Sequence, residues 1–90
     1  MSTEEVGKYS TDQLITYLQS YLQEKNLTLS DSEIQKFHEE NINGYAFLTL
    51  TADLLKQCEL SIGKRAVLAD LINNLNNQGS YFRSIYYSFL

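Results

Sequence analysis

Leu14, Tyr17, Leu18, Tyr21 and Leu22 recur at intervals of three and four, the apolar stripe of an amphipathic helix. Immediately before it, Ser10-Thr11-Asp12-Gln13 reads as an N-cap with its capping-box partner three positions on. Asn26 closes that element. Ser30-Asp31-Ser32-Glu33 is a second capping box, and the short helix it opens turns Ile34 and Phe37 toward a core. Asn41-Ile42-Asn43-Gly44 interrupts it. Residues 45–49 form a brief apolar block of one or two helical turns, and Thr51-Ala52-Asp53 begins another short helix that carries Leu54, Leu55 and Cys58. A long helix opens near Ser61 and is expected to run to about Asn77. Its Val67, Leu68, Leu71, Ile72 and Leu75 share one face, and Asp70, Asn73, Asn74 and Asn77 the other. Asn76-Asn77-Gln78-Gly79 then supplies weak helix formers and the residue favoured just past a helix end.

Two long helices and three short ones follow from this pattern. Isolated helices shorter than about 12–15 residues are marginal in water, so the short ones must be fixed by packing. Proline is absent and glycine occurs only at 7, 44, 63 and 79, which leaves long helices unbroken. The expected fold class is all-α, a compact five-helix bundle without a sheet. The organisation read from the chain is an N-terminal tail over 1–8, the bundle over 9–77 and an aromatic extension over 78–90. In that extension Phe82, Ile85, Tyr86 and Phe89 are spaced for a helix, although such residues also favour strands. It reads either as a sixth segment folded back on the bundle or as a docking surface.

Composition narrows the function. Ninety residues suit one domain, and 43% hydrophobic against 20% charged is globular rather than disordered. The formal charge of −4 argues against a general nucleic-acid binder. One cysteine, Cys58, cannot form an internal disulfide and fits a reducing compartment. No apolar run approaches the ~20 residues that span a bilayer. The acidic start Met1-Ser2-Thr3-Glu4-Glu5 resembles neither a signal nor a transit peptide. The expected location is cytoplasmic, with the nucleus left open.

No catalytic or cofactor-binding constellation emerges. His38 and Cys58 are each alone of their kind and lack a third orienting group, so Cys58 reads as a packed apolar residue and His38 as a solvated or capping one. Together they are too few to ligate a metal. Gly63-Lys64-Arg65 lacks the further glycines of a phosphate loop. The chain reads as a non-enzyme without cofactors.

Charge is unevenly distributed. Residues 30–60 hold Asp31, Glu33, Glu39, Glu40, Asp53 and Glu59 against Lys36 and Lys56, a net −4. Residues 61–90 hold Lys64, Arg65 and Arg83 against Asp70, a net +2. Lys64 and Arg65 stand at a helix start, where the dipole already carries about half a positive charge, so that tip should attract carboxylates. Ordinary solvated charge is the other explanation.

Taken in order, these stations resemble a sterile alpha motif (SAM) domain. The family reads as an aromatic, a helix ending in aromatic-Leu, then Phe, Ile-Asp-Gly, Leu-Leu-x-Leu-Thr, Asp-Leu, and Gly-His-Arg before an apolar helix. Here the positions are Tyr9, Tyr17-Leu18, Phe37, Ile42-Asn43-Gly44, Phe47-Leu48-Thr49-Leu50-Thr51, Asp53-Leu54, and Gly63-Lys64-Arg65 before Val67-Leu68 and Leu71-Ile72. The resemblance covers about Tyr9 to Leu75. Tyr9 and Tyr17 stand where the family usually has tryptophan, and each hydroxyl needs a partner. Glu59 stands where a glycine usually precedes the final loop; a left-handed backbone there would cost roughly 1 kcal/mol.

The resemblance implies a protein–protein interaction module with two faces, one in the central short helices and one at the start of the last helix. Unlike charges on such faces dock head to tail, and the contact need not close, so rings or filaments can form. Carried onto this chain, Glu39, Glu40, Asn43 and Asp53 would supply the acidic face. Gly63, Lys64 and Arg65 would supply the basic one, flanked by Ser61 and Leu68. The partner implied is the chain itself or another SAM domain, with no membrane. The alternative is RNA stem-loop binding by the Gly63-Lys64-Arg65 corner, which a more basic subset of the family performs.

Overall fold

The computed structural model describes residues 3–88, with side chains as far as Asn77. Six helices follow one another: α1 (Thr3–Gly7), α2 (Thr11–Gln23), α3 (Asp31–Glu39), α4 (Gly44–Leu48), α5 (Ala52–Gln57) and α6 (Ile62–Ser88). Side-chain caps fix most of the starts, because the first N–H groups of a helix have no partner within it. Ser10 and Ser30 make full capping boxes with Gln13 and Glu33. Asn43 caps α4 by accepting from the Ala46 N–H at 2.9 Å, and Thr51 caps α5 by accepting from Leu54. Three connections turn through left-handed residues, Asn26, Asn41 and Glu59, with φ of 61°, 54° and 62°.

Phe37, Phe47, Leu14, Leu18, Leu22, Leu68 and Val6 are fully enclosed, and Leu55, Leu71, Ile72 and Leu75 complete the core around them. Each such side chain contributes on the order of 1.5–3 kcal/mol by leaving water. The loop between α2 and α3 is held by one amide: Gln19 donates to the Leu29 carbonyl and accepts from the Leu29 N–H at 2.8 Å. Tyr9 and Tyr17 meet edge to face with centroids 5.8 Å apart. Burial, then the neighbouring Tyr21 and Tyr9, push the Tyr17 hydroxyl's pKa up.

The expected architecture needs two corrections. Residues 1–8 are not simply a tail, since Thr3–Gly7 forms α1 and Val6 is wholly buried. The Thr3 hydroxyl donates to the Leu75 carbonyl, and the Gly44 N–H donates to the Tyr9 carbonyl at 2.9 Å. The bundle therefore has a sixth helix, held by contacts with α4 and α6 rather than by its own propensity. The second correction concerns α6, which passes Gly79 and reaches Ser88 instead of stopping near Asn77. A helix can carry glycine at a cost of about 1 kcal/mol, and glycine terminates it only where the backbone turns left-handed. The expectation for Phe82, Ile85, Tyr86 and Phe89 concerns side chains outside the described residues.

Candidate functional site

The start of α6 is built by Ser61. Its hydroxyl accepts from the Lys64 N–H at 3.4 Å and its carbonyl from the Arg65 N–H at 2.9 Å. Lys64 and Arg65, adjacent in sequence, then part company. Lys64 Nζ reaches α3 and donates to Glu33 Oε1 at 2.7 Å, with side chains only 18% and 10% exposed. The same carboxylate oxygen accepts from the Ser30 N–H at 2.7 Å. Burial alone would raise the Glu33 pKa; the hydrogen bonds from Lys64 and Ser30 and the lysine charge outweigh it and hold the carboxyl below its ordinary range. Lys64 is thus a tie between α3 and α6, which corrects its expected place on a docking face.

Arg65 lies half-buried along α5, and its buried Nε meets no acceptor among the described residues. With Ala52, Leu55, Ile62, Ala66 and Ala69 it lines a groove of about 270 Å³ between α5 and α6. Gly63 faces solvent, and a Cβ built there meets nothing within 4 Å. Leu68 is fully enclosed, so it belongs to the core and cannot flank a contact surface; it lies on the same stripe as Leu71, Ile72 and Leu75.

The acidic residues gather around the junction of α3, α4 and α5. Glu39 and Glu40 are exposed at the C-terminal end of α3, where the dipole disfavours negative charge. Glu39 accepts from Gln35 at 2.9 Å, and Glu40 lies 3.6 Å from Lys36. Asp53 is exposed in the first turn of α5, a position the dipole favours. Asn43 is exposed too, although its side-chain oxygen is already used as the α4 cap. A cleft of about 300 Å³ opens here, with Ile42, Ala46, Leu50 and Leu54 among its walls and Lys36 and Glu40 beside them.

Exposed apolar residues were missed from sequence: Tyr45 is 69% exposed, Leu54 44% and Ile62 76%. The signal lay in phase. Leu55 and Cys58 take the buried side of α5, so adjacent Leu54 cannot share it fully, and Ile62 falls off the stripe defined by Leu68, Leu71, Ile72 and Leu75.

Residues 1–74 match the family model described as the SAM-like domain. The chain belongs to the SAM-like domain family. Comparisons with curated proteins and with solved structures find no significant match. SAM-like domains are protein-interaction modules and are generally non-catalytic.

The side chains of this SAM-like domain that could do chemistry are engaged otherwise. His38 Nε2 lies 3.2 Å from Asp12 Oδ1 on the α2–α3 surface. Cys58 is buried, its Sγ 3.6 Å from the Leu54 carbonyl, and burial is the main cause that pushes its thiol pKa up, which keeps it protonated and unreactive. Among the described residues no three His, Cys, Asp or Glu side chains are grouped to hold a metal ion, and no helix is long and apolar enough to cross a membrane.

Proposed function

We propose that this SAM-like domain joins further SAM-like domains, copies of itself first among them, head to tail. One face comprises Glu39, Glu40, Asn43 and Asp53; the other comprises Ser61, Gly63 and Arg65 at the start of α6. The observation that carries this reading is the partition of charge. Lys64 is held by Glu33, yet among the described residues no ion pair joins Arg65 to Glu39, Glu40 or Asp53. Glu39 and Glu40 at a helix end, and Arg65 at a helix start, each oppose their own helix dipole and gain by meeting the unlike face of a neighbour. The functional unit we assign includes α1 and runs through Asn77, with 78–90 as an extension.

Sedimentation velocity at rising protein concentration tests this reading. The expected result is a sedimentation coefficient that grows with concentration at low salt and shrinks again at high salt. A single monomeric species at high micromolar concentration in low salt contradicts it. RNA stem-loop binding would use the same corner, but the engagement of Lys64 by Glu33 leaves Arg65 as its main cation. A stem-loop probe is therefore expected to show no shift at low salt.

A further inference from the structure

Ile62 opens α6 with 76% of its surface in water, although α6 has a complete apolar stripe elsewhere. Single exposed apolar residues are ordinary on protein surfaces, so its surroundings decide its meaning. On one side stands Gly63, around whose Cα nothing lies within 4 Å of an added Cβ, so a neighbour can approach closely. One turn on stands Arg65. The tip of α6 is thus an aliphatic knob with a cation beside it.

The matching shape lies on the other side of α5. The cleft between α3, α4 and α5 is about 300 Å³, walled by Ile42, Ala46, Leu50 and Leu54, with the Glu40–Lys36 pair at its edge. Ile62 instead lines the α5–α6 groove with Ala52 and Leu55. Knob and cleft therefore use different sides of α5, and one molecule does not fill its own cleft.

We infer that Ile62 is the apolar anchor of the head-to-tail contact and seats in the α3–α4–α5 cleft of a second copy. This inference rests on the head-to-tail reading and adds the residue and pocket that hold it. A second copy is the occupant because charge and shape match together: seating Ile62 brings Arg65 of one copy toward Glu40 of the next, and Asp53 adjoins the Leu54 wall. Because knob and cleft are unlike surfaces of one chain, each added copy presents a fresh cleft, and the assembly is open-ended. An apolar anchor enclosed by a charged rim is also the arrangement that concentrates binding energy in few residues.

The test compares the wild-type chain with Ile62→Ser and Gln57→Trp by sedimentation equilibrium. Ile62 is exposed, so I62S should keep the wild-type melting temperature while its self-association weakens about tenfold or more. Gln57 is exposed and borders the cleft, so Q57W fills that space without opening the core. Neither variant should assemble alone; mixed in equal amounts, they should form a one-to-one dimer that grows no further, since I62S keeps the cleft and Q57W keeps the knob. Wild-type assembly that I62S leaves unchanged overturns the inference while the head-to-tail reading stands. A folded pair of variants that stays monomeric when mixed overturns it too. A wild-type chain that never associates removes both.

Discussion

Gly44 occupies a place that no other residue can fill. A Cβ there would lie 1.7 Å from the Val6 carbonyl oxygen, and the Gly44 N–H already donates to the Tyr9 carbonyl. Gly44→Ala must push α1 from α4, so urea denaturation should show a loss of about 3 kcal/mol or more, at the upper end of overpacking costs. An unchanged midpoint would contradict the close approach. Glu59 is the opposite case. Its φ of 62° is the left-handed conformation that a glycine adopts freely, so Glu59→Gly should raise stability by about 1 kcal/mol despite the added freedom of the unfolded chain. The strain was foreseeable because the family's pattern puts glycine there. Glu33 sets the acid behaviour. Its folded pKa lies below the ordinary 4.5, so the stability it contributes is complete above that value. That contribution declines as pH falls below the ordinary value and is lost once pH passes through the depressed folded one. Thermal melts across acid pH should show this slope, and Glu33→Gln should flatten it.

At the scale of elements, legibility followed locality. The capping boxes at Ser10 and Ser30 link residues three apart, and the starts of α2 and α3 fell where those motifs stand. The short helices α4 and α5 were legible for the same reason, through Asn43 and Thr51. Helix α1 was not. Thr3-Glu4-Glu5-Val6-Gly7 contains one large apolar residue and no periodic stripe, and the helix exists because Val6 is enclosed by distant parts of the chain. Val6→Ala should accordingly cost about 2 kcal/mol in a denaturant titration, near the lower end for truncating a buried aliphatic. A cost near zero would return residues 1–8 to the status of a tail. Helix α6 shows the converse limit. Gly79 has the identity of a terminator, but the turn that would make it one depends on backbone geometry that identity alone does not set.

Across the whole molecule, the uneven charge was visible in the sequence, while its pairing was not. Lys64 and Glu33 are 31 residues apart, and only the packing of α6 on α3 brings them to 2.7 Å. This removes Lys64 from the outer surface and leaves Arg65, Gly63 and the unanticipated Ile62 as the tip. Leu68, by contrast, was already on the core stripe by its spacing, and the structure encloses it there. What remains is a small helical body with an acidic cleft-bearing face and a cationic, aliphatic tip on different sides of α5. Amide NMR spectra recorded from dilute to concentrated protein at low salt test this directly, because they report both faces in one experiment. The account predicts that signals of Glu39–Asp53 and of Ser61–Arg65 shift or broaden together with concentration, while those of the α2 surface stay fixed. Spectra that do not change with concentration, or changes confined to one of the two faces, would contradict it.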